Sequence, residues 1–266
     1  SGGLHGVGAS VVNALSDWCE VEVHQLGKVF WQRYERGITV SELEERGEAS
    51  DTGTTTTFHP DPSIMSDEGF NYEQLQHSLR EQALLTRGLR INLRDERGEE
   101  LREASYLYEG GIVEFVQYLD ENRSPLHDPP IYMERTRDTV VVELAMQYNA
   151  SYSENIFTYV NNINTVEGGT HVAGFRAAMT TTINSYGHEH KIFAKDMKDG
   201  LSGEDVREGL TAVLSLKVQQ PQFESQTKIR LGNPEIKGIV QSAVSEALNE
   251  FFLENPQVAK NIIKKS

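Results

Sequence analysis

The stretch SGGLHGVGASVVNAL, residues 1–15, opens the chain with glycines at Gly2, Gly3, Gly6 and Gly8, followed by an apolar helical pattern. Glycine lacks a Cβ, so backbone N–H groups of such a loop can turn toward one point, where the N-terminus of the next helix adds positive partial charge. This combination is typical of a loop that binds phosphate. The spacing matches neither G-x-G-x-x-G nor G-x-x-x-x-G-K-[ST], so a Rossmann site and a Walker loop are not indicated. A plain turn before a helix is the alternative interpretation.

The residues that follow these glycines predict a short helix with one apolar face. Val11, Val12 and Leu15 recur at helical spacing, and Ser10 and Asn13 fall between them. Because this pattern places the apolar side chains on one side of a helix, we expect Val11, Val12 and Leu15 to be buried.

Together, the loop and the helix form a string that is more specific than its glycines. The string GLHGVGASVVNAL, residues 3–15, resembles the ATP lid of the DNA gyrase B family. That family belongs to the GHKL superfamily, which also contains histidine kinases and mismatch-repair proteins. The resemblance implies that backbone amides of the lid wrap the triphosphate of ATP. The residues that it assigns to this role are Leu4, His5, Gly6, Val7 and Gly8.

The resemblance also implies residues that this chain does not contain. In the family a glutamate activates water, an asparagine holds Mg²⁺ and an aspartate reads adenine, and all of them precede the lid. We therefore expect an internal fragment of a longer protein that uses ATP and Mg²⁺. Without that general base and magnesium ligand, the fragment is expected not to hydrolyse ATP by itself.

Composition describes a globular chain of one or two domains. Its 266 residues are 38% hydrophobic and 24% charged, which excludes a disordered chain. No apolar run reaches about 18 residues and no signal peptide pattern opens the chain, so we expect a cytoplasmic protein without membrane contact. The single Cys19 excludes an intrachain disulfide and is predicted to be a small core residue. A net charge of −15 excludes a surface built for nonspecific DNA binding, so any DNA contact must be local.

A second informative string is GTTTTFHPD, residues 53–61. Four β-branched threonines favour a strand, and proline ends it. The string also matches the G-T-x-x-x-F-x-P-D strand of the gyrase B family, and this resemblance implies that Thr54 lies near the adenine. A hydroxyl suits that position because it both donates and accepts hydrogen bonds. For the other threonines, strand propensity is a sufficient explanation.

The third string is QFESQTKIRLGN, residues 222–233, in a locally basic segment of an acidic chain. The basic residues of this segment are Lys217, Lys228, Arg230 and Lys237. A lysine near a loop tip is usually solvated. The Gln-Thr-Lys triplet, however, resembles the transducer loop of the gyrase B family that reaches the γ-phosphate of ATP. The resemblance implies that Lys228 is the charged contact and Gln226 a polar one, and lysine suits this role because a flexible stem delivers a compact charge.

Two clusters raise the question of a metal site. The acidic stretch 42–48 carries several carboxylates, and His188-Glu189-His190 places its imidazoles close together in sequence. Neither has the D-x-D or H-E-x-x-H spacing of a metal site, so both are interpreted as exposed loops. No metal ligand is therefore predicted in this chain.

Apolar periodicity predicts the remaining elements. The helical period predicts helices at 72–85, 112–119, 172–186, 236–252 and 258–265, with a further helix starting near 202–205. The alternating period predicts a β-hairpin at 18–34 with its turn at Gly27-Lys28, and strands at 37–40, 53–60, 89–93, 104–108, 139–148, 156–160 and 210–218.

These elements indicate an α+β or α/β chain of two domains with a boundary near Gly110-Gly111. Residues 1–109 are predicted to be the C-terminal part of a GHKL-type α/β sandwich ATPase domain, with an antiparallel sheet that 104–108 completes and helices on one face. Residues 110–266 are predicted to be a transducer domain of the ribosomal S5-like βαβ fold. This prediction rests on NNINTVEGGTH, residues 161–171, which resembles the start of the crossover helix of that domain.

The function implied by the resemblance is that of an ATP-operated clamp in a type II DNA topoisomerase that introduces negative supercoils. ATP closes the lid, Lys228 senses the terminal phosphate, and the transducer domain passes that state to the DNA gate. The implied partners are double-stranded DNA, the gyrase A subunit and a second copy of the B subunit. Three alternatives stay open: a topoisomerase IV subunit, a chaperone or mismatch-repair switch of the same superfamily, and a noncatalytic remnant or binding module.

Overall fold

The computed structural model describes residues 6–65, 69–193, 197 and 199–266, and it is an α+β structure, as predicted. It divides into two compact units, 1–71 and 72–266, which are described separately. Within the described residues, every helix is too short or too polar to cross a membrane.

The first unit is an antiparallel sheet with one short helix among its described residues. Its elements are α1 (Gly8–Ala14), β1 (Ser16–Gln25), β2 (Lys28–Glu35), β3 (Ile38–Thr39), β4 (Glu44–Glu48) and β5 (Gly53–Pro60). The strand order is β3-β2-β1-β5, and β4 also pairs with β2. β1 therefore lies between β2 and β5, and its Cys19 is buried, which confirms the prediction of a core cysteine.

The predicted β-hairpin is confirmed as β1 and β2, which pair in antiparallel register. Its turn lies one residue earlier than expected, at Leu26 and Gly27, and both residues have positive φ angles of 54° and 77°. Turns of this hand match the right-handed twist of paired strands. The prediction that the acidic stretch 42–48 is a loop is wrong in part, because 44–48 form strand β4 along β2. Lys28 Nζ lies 2.7 Å from Glu45 Oε2, so an ion pair helps to hold this acidic edge.

The second unit contains helices on both faces of a five-stranded sheet. Its elements are α2 (Tyr72–Leu85), β6 (Ile91–Asp95), β7 (Arg102–Tyr106), α3 (Ile112–Leu119), β8 (Ile131–Arg137), β9 (Val140–Tyr148), β10 (Asn155–Val160), β11 (Ile163–Asn164), α4 (Thr170–Glu189), β12 (Leu210–Lys217), α5 (Pro234–Glu254) and α6 (Pro256–Lys265). The sheet has the order β11-β10-β12-β9-β8. β10 and β12 are parallel and are joined through α4, so the predicted βαβ crossover is present.

Two apolar clusters cover the faces of this sheet. Leu144 of β9 and Leu214 of β12 pack with α4, α5 and α6 on one face. Ala145 and Val213, their chain neighbours, point to the other face and pack with α3 and with Leu84 of α2. Because β9 and β12 are buried on both faces, their sequences are almost continuously apolar.

Three predictions about secondary structure are corrected in the second unit. β6 and β7 form a separate two-stranded sheet and do not complete the sheet of the first unit. β8 and β11 were not predicted, because β8 is apolar only over 131–133 and polar over 134–137, and β11 is only two residues long. The helix expected from 202–205 is a single 3-10 turn, Asp205–Arg207. The side chain of Ser202 does cap this turn, since Ser202 Oγ accepts a hydrogen bond from the Asp205 amide at 3.2 Å.

The domain boundary near Gly110-Gly111 stays a prediction. The second compact unit begins earlier in the chain, at Tyr72, because α2 packs against α3 and is hydrogen bonded to the five-stranded sheet. Arg87, just after α2, donates to the hydroxyl of Tyr132 at 2.7 Å and to Glu143 Oε1 at 2.8 Å. Burial beside Glu143 raises the pKa of Tyr132 to about 12, so this phenol stays a neutral hydrogen-bonding group.

Candidate functional site

The glycine-rich loop leads into the first turn of α1. Leu4 and His5 lie outside the described residues. Gly6 has a φ of 63°, a left-handed conformation that favours glycine, and a Cβ built at Gly6 or Gly8 meets no atom within 4 Å. Val7, between them, is 51% exposed. The backbone of this loop is therefore open to approach by a ligand from solvent.

The prediction that Val11, Val12 and Leu15 are buried is wrong in this structure. Val11 is 46% exposed and Val12 is 37% exposed, and α1 contains no buried residue. The apolar face of α1 turns toward an open groove of about 370 Å³ rather than into a core. The residues that line this groove are Val11, Val12, Leu15, Ser16, Phe58, Pro60, Met65, Gly69 and Phe70.

Asp61, the last residue of the GTTTTFHPD string, ties the end of α1 to the end of the sheet. Its amide donates to the Leu15 carbonyl oxygen at 2.9 Å. Its carboxylate accepts hydrogen bonds from Ser63 Oγ at 2.6 Å, from the Ser63 amide at 2.9 Å and from Arg36 Nε at 2.7 Å. The Ser63 and Arg36 donors lower the pKa of Asp61 to about 2. The role of Asp61 as an anchor for the end of α1 has no signal in the sequence beyond its place after a strand.

Thr54 lies near the beginning of β5 and is exposed. It pairs with Val23 of β1, toward the opposite end of the ladder from the Ser16 and Pro60 pair. Its hydroxyl is therefore available to a ligand on the same unit as the glycine-rich loop.

The Lys228 loop, defined here as residues 222–231, projects between β12 and α5. Phe223 and Leu231 form an antiparallel bridge at its base. At its tip, the Lys228 amide donates to the Ser225 carbonyl oxygen at 3.1 Å. Lys228 has a φ of 59°, so the turn closes in a left-handed conformation. Gln226 is exposed and Lys228 is half-buried, and within the described residues Lys228 Nζ has no carboxylate partner. The loop thus presents an ammonium group that is not neutralised.

A buried histidine supports the first turn of α4, close in sequence to the residues that bridge to the Lys228 loop. His171 is fully buried, and its Nε2 lies 2.9 Å from Thr165 Oγ1. Thr165 Oγ1 in turn donates to the Thr158 carbonyl oxygen at 3.0 Å. Burial lowers the pKa of His171 to about 4, so the imidazole is neutral near pH 7. The sequence offered no signal for this role beyond a histidine next to a helix start.

The predicted residues fall into two sets that are described in different units. Gly6, Val7, Gly8 and Thr54 belong to residues 1–71, whereas Gln226 and Lys228 share one turn of residues 72–266. Within the part of the chain that is described, no group of three or more His, Cys, Asp or Glu side chains is placed to hold a metal ion.

Comparison with protein families and curated sequences shows what this chain is similar to. A family model described as DNA gyrase B matches residues 111–266. The gyrase B subunit of Staphylococcus epidermidis is 52% identical over 266 residues, and that of Staphylococcus aureus is 51% identical over 267 residues. Each alignment covers 100% of this chain but 41% of the relative, so the chain spans about two fifths of the length of these relatives.

Solved structures are similar over almost the whole chain. The 43K ATPase domain of Thermus thermophilus gyrase B, in complex with an aminocoumarin, has a TM-score of 0.84 and is 37% identical; the match covers 98% of this chain and 70% of that one. The topoisomerase IV ATP-binding domain of Francisella tularensis, in complex with a small-molecule inhibitor, has a TM-score of 0.81 and is 29% identical; the match covers 100% of this chain and 72% of that one.

Proposed function

The chain belongs to the DNA gyrase B family, and we propose that it is the part of the ATPase subunit that couples the state of bound ATP to movement of DNA. The family recognised from the sequence motifs is confirmed by the match over 111–266. Because the chain spans 41% of its curated relatives, the activity of the whole protein is part of the proposal. That activity is ATP-dependent strand passage and negative supercoiling by a complex of this subunit, a second copy of it, the gyrase A subunit and double-stranded DNA.

The observation that carries this proposal is the ammonium group of Lys228, which has no carboxylate partner in the part of the chain that the structure describes and lies at the tip of a hydrogen-bonded turn. An ammonium group that no carboxylate contacts keeps its N–H donors available to a ligand, and a compact ammonium group suits phosphate oxygens. Bound ATP supplies a terminal phosphate that ADP lacks. A contact made only with that phosphate favours the ATP-bound conformation, because only differential binding shifts a conformational equilibrium. Gln226, exposed on the same turn, would add a neutral hydrogen bond.

The open backbone of the glycine-rich loop supports a second contact. Gly6 and Gly8 leave room for phosphate oxygens to approach the main chain, with Leu4, His5 and Val7 in the same loop. Thr54 would bind the adenine through its exposed hydroxyl. The described residues contain no carboxylate cluster that fits Mg²⁺, so no step is assigned to magnesium here and its ligands remain a prediction. The cytoplasmic location also remains a prediction.

The test is Lys228→Ala in the intact parent protein. Loss of one charged contact to a developing transition-state charge is expected to lower ATP turnover by about a hundredfold, equivalent to about 3 kcal/mol. ADP affinity should stay nearly unchanged, because ADP lacks the phosphate in question. Alanine retains the Cβ, so the left-handed backbone at this position is not relieved or strained further. Gln226→Ala should show the same pattern more weakly, since an amide carries no net charge.

Lys237→Ala is the matched control, because Lys237 is an exposed lysine of the same basic segment. Its turnover should equal that of the unmodified parent. If Lys228→Ala lowers ADP affinity as much as turnover, or changes neither, the phosphate contact is made elsewhere. A DNA topology gel on the reconstituted complex separates the two paralogous activities: ATP-dependent negative supercoiling identifies gyrase, and relaxation without supercoiling identifies topoisomerase IV.

A further inference from the structure

The base of the Lys228 loop is hydrogen bonded to the segment that starts α4, far away in sequence. Gly169 and Leu231 form a parallel bridge. The Leu231 amide donates to the Gly168 carbonyl oxygen at 3.0 Å, and the Thr170 amide donates to the Leu231 carbonyl oxygen at 3.1 Å. Leu231 itself is fully buried. The base of the loop therefore has a defined position relative to the first turn of α4.

A second pair of contacts extends this connection toward the tip of the loop. The Glu167 amide donates to the Ile229 carbonyl oxygen at 3.0 Å, next to Lys228 in the chain. Arg230 Nη1 donates to the Glu167 carbonyl oxygen at 3.3 Å, and Arg230 Nε lies 3.1 Å from Glu224 Oε1. Contacts to 167–170 thus reach the residue that directly follows Lys228.

Gly169 is the position where this arrangement tolerates no side chain. Its φ is 132°, a conformation that residues with a Cβ rarely adopt. A Cβ at Gly169 would overlap the carbonyl oxygen of Leu231 and would lie 2.7 Å from the Leu231 amide nitrogen. The Leu231 amide donates to Gly168 and the Leu231 carbonyl oxygen accepts from Thr170, so hydrogen bonds hold both atoms in place. An added methyl group at Gly169 must therefore push the two segments apart. The flexible end of a side chain could move away at small cost, but a backbone held by hydrogen bonds cannot.

We propose that Gly169 is a positioning residue for Lys228: its close contact with Leu231 sets where the Lys228 ammonium group lies relative to the terminal phosphate. This inference rests on the proposed function of Lys228. Gly169 does not touch the nucleotide in this scheme and acts only through the loop. A shift of about 1 Å at a group that contacts a transition state lowers the rate by up to about a hundredfold.

The experiment is a kinetic double-mutant cycle in the intact parent with Gly169→Ala and Lys228→Ala, singly and together. Gly169→Ala should lower ATP turnover at least about tenfold while ADP affinity stays within about twofold. If Gly169 acts through Lys228, then Gly169→Ala should cause no further loss once Lys228 is alanine. A structural defect unrelated to Lys228 would instead multiply the two losses, and that result would overturn the proposal, as would unchanged turnover in Gly169→Ala.

Gly238→Ala is the matched glycine control. It lies in α5, and a Cβ at this position meets no atom within 4 Å, so its turnover should equal that of the parent. If Gly169→Ala does not fold, as judged by circular dichroism, Arg230→Lys replaces it in the cycle. That variant retains the charge but loses the Arg230 Nη1 contact to Glu167. It should lower turnover about threefold, and only while Lys228 is present.

The same cycle separates this inference from the function on which it rests. If Lys228→Ala alone changes nothing, the proposed phosphate contact fails. If Lys228→Ala impairs turnover but Gly169→Ala, or Arg230→Lys where it replaces that variant, is silent or multiplies the effect, the phosphate contact stands and the positioning role fails.

Discussion

The sheets of the two compact units are buried to very different degrees. Every residue of β5 is exposed except the half-buried Pro60, whereas every residue of β12 is buried except Lys217. Among the described residues of the first unit, the buried ones are Ser16, Cys19 and Asp61. Helices cover both faces of the second sheet, whereas the large apolar clusters include none of the described residues of the first unit. Apolar burial therefore stabilises chiefly residues 72–266, and Thr54, which is proposed to contact the adenine, lies on the less buried sheet.

The largest expected effect that tests this difference comes from deleting one side chain from each sheet, in the central strand β12 of the second unit and in the edge strand β5 of the first. Leu214→Ala removes a fully buried side chain of β12 and should destabilise the second unit by about 2–5 kcal/mol. Thr56→Ala, at an exposed position of β5, should change stability by less than about 0.5 kcal/mol. Urea unfolding of the whole chain measures both. Trp18 and Trp31 lie in the first unit, so tryptophan fluorescence reports that unit while far-UV circular dichroism reports mainly the helices of the second.

Equal losses from Leu214→Ala and Thr56→Ala would contradict the comparison. A single fluorescence and circular dichroism transition that moved together in both variants would show that the two units unfold as one.

Mild acid is expected to weaken the better packed unit first. The pKa of His171 is lowered by burial from an ordinary 6.5 to about 4, so the unfolded chain takes up this proton more readily than the folded one. Stability should therefore fall as pH drops from about 6.5 to about 4, by about 3 kcal/mol in total, and then level off. Urea unfolding followed by circular dichroism at several pH values in this range gives the slope of stability against pH.

His171→Gln should remove most of that slope, although the variant starts from a lower stability at neutral pH. His77→Gln provides the control, because His77 is a largely exposed histidine of α2. A slope that persists in His171→Gln would assign the acid sensitivity to another group.

The first unit should respond only to stronger acid. The pKa of Asp61 is lowered to about 2 by hydrogen bonds from Ser63 and Arg36. Its contribution to stability is present above the ordinary pKa of about 4 and is lost as pH falls toward about 2. In Asp61→Asn, the midpoint of the fluorescence transition should lie at a lower urea concentration at pH 7. That midpoint should also change less between pH 4 and pH 2 than in the unmodified chain. Glu42→Gln, which removes an exposed carboxylate of the same unit, should leave both properties unchanged.

In the glycine-rich loop the expected effect is small for stability and larger for ATP binding. Gly6→Ala places a Cβ at a φ of 63°, which costs about 1 kcal/mol, but it should weaken ATP binding by the intact parent because a methyl group hinders approach to the backbone. Gly27→Ala introduces similar strain, at a φ of 77° in the hairpin turn, and is the control. Calorimetric titration should find weaker ATP binding in the first variant only. Unchanged affinity in Gly6→Ala would remove the loop from the nucleotide site.

Periodicity predicted the helices and the buried strands because their patterns are strong and local. α2, α3 and α5 and the strands β9 and β12 were found within a few residues of their observed bounds. The three missed strands, β4, β8 and β11, lie at sheet edges. β8 is apolar only at its first three positions, β4 is rich in glutamate, and β11 is two residues long, so none of them has the apolar pattern that predicts a strand.

The same local reasoning failed where burial depends on what covers a face. The apolar stripe of α1 is present in the sequence, yet Val11 and Val12 line an open groove. A stripe shows which side of a helix is apolar, but packing of other segments decides whether that side loses its water. Local sequence also did not show that β6 and β7 lie outside the first sheet, because the pattern of a strand does not specify which other strands it pairs with.

The sequence by itself indicates the family, through the glycines of the first loop, the threonine strand and the Gln-Thr-Lys triplet. It also shows what each string can bind, because that depends on the types of its residues. Folding alone decided that Asp61 anchors α1 and that Gly169 touches Leu231. The reason is that each of these depends on the mutual position of segments that are distant in the chain. Local propensity cannot encode such a position, because it results from the packing of helices and strands around a common core.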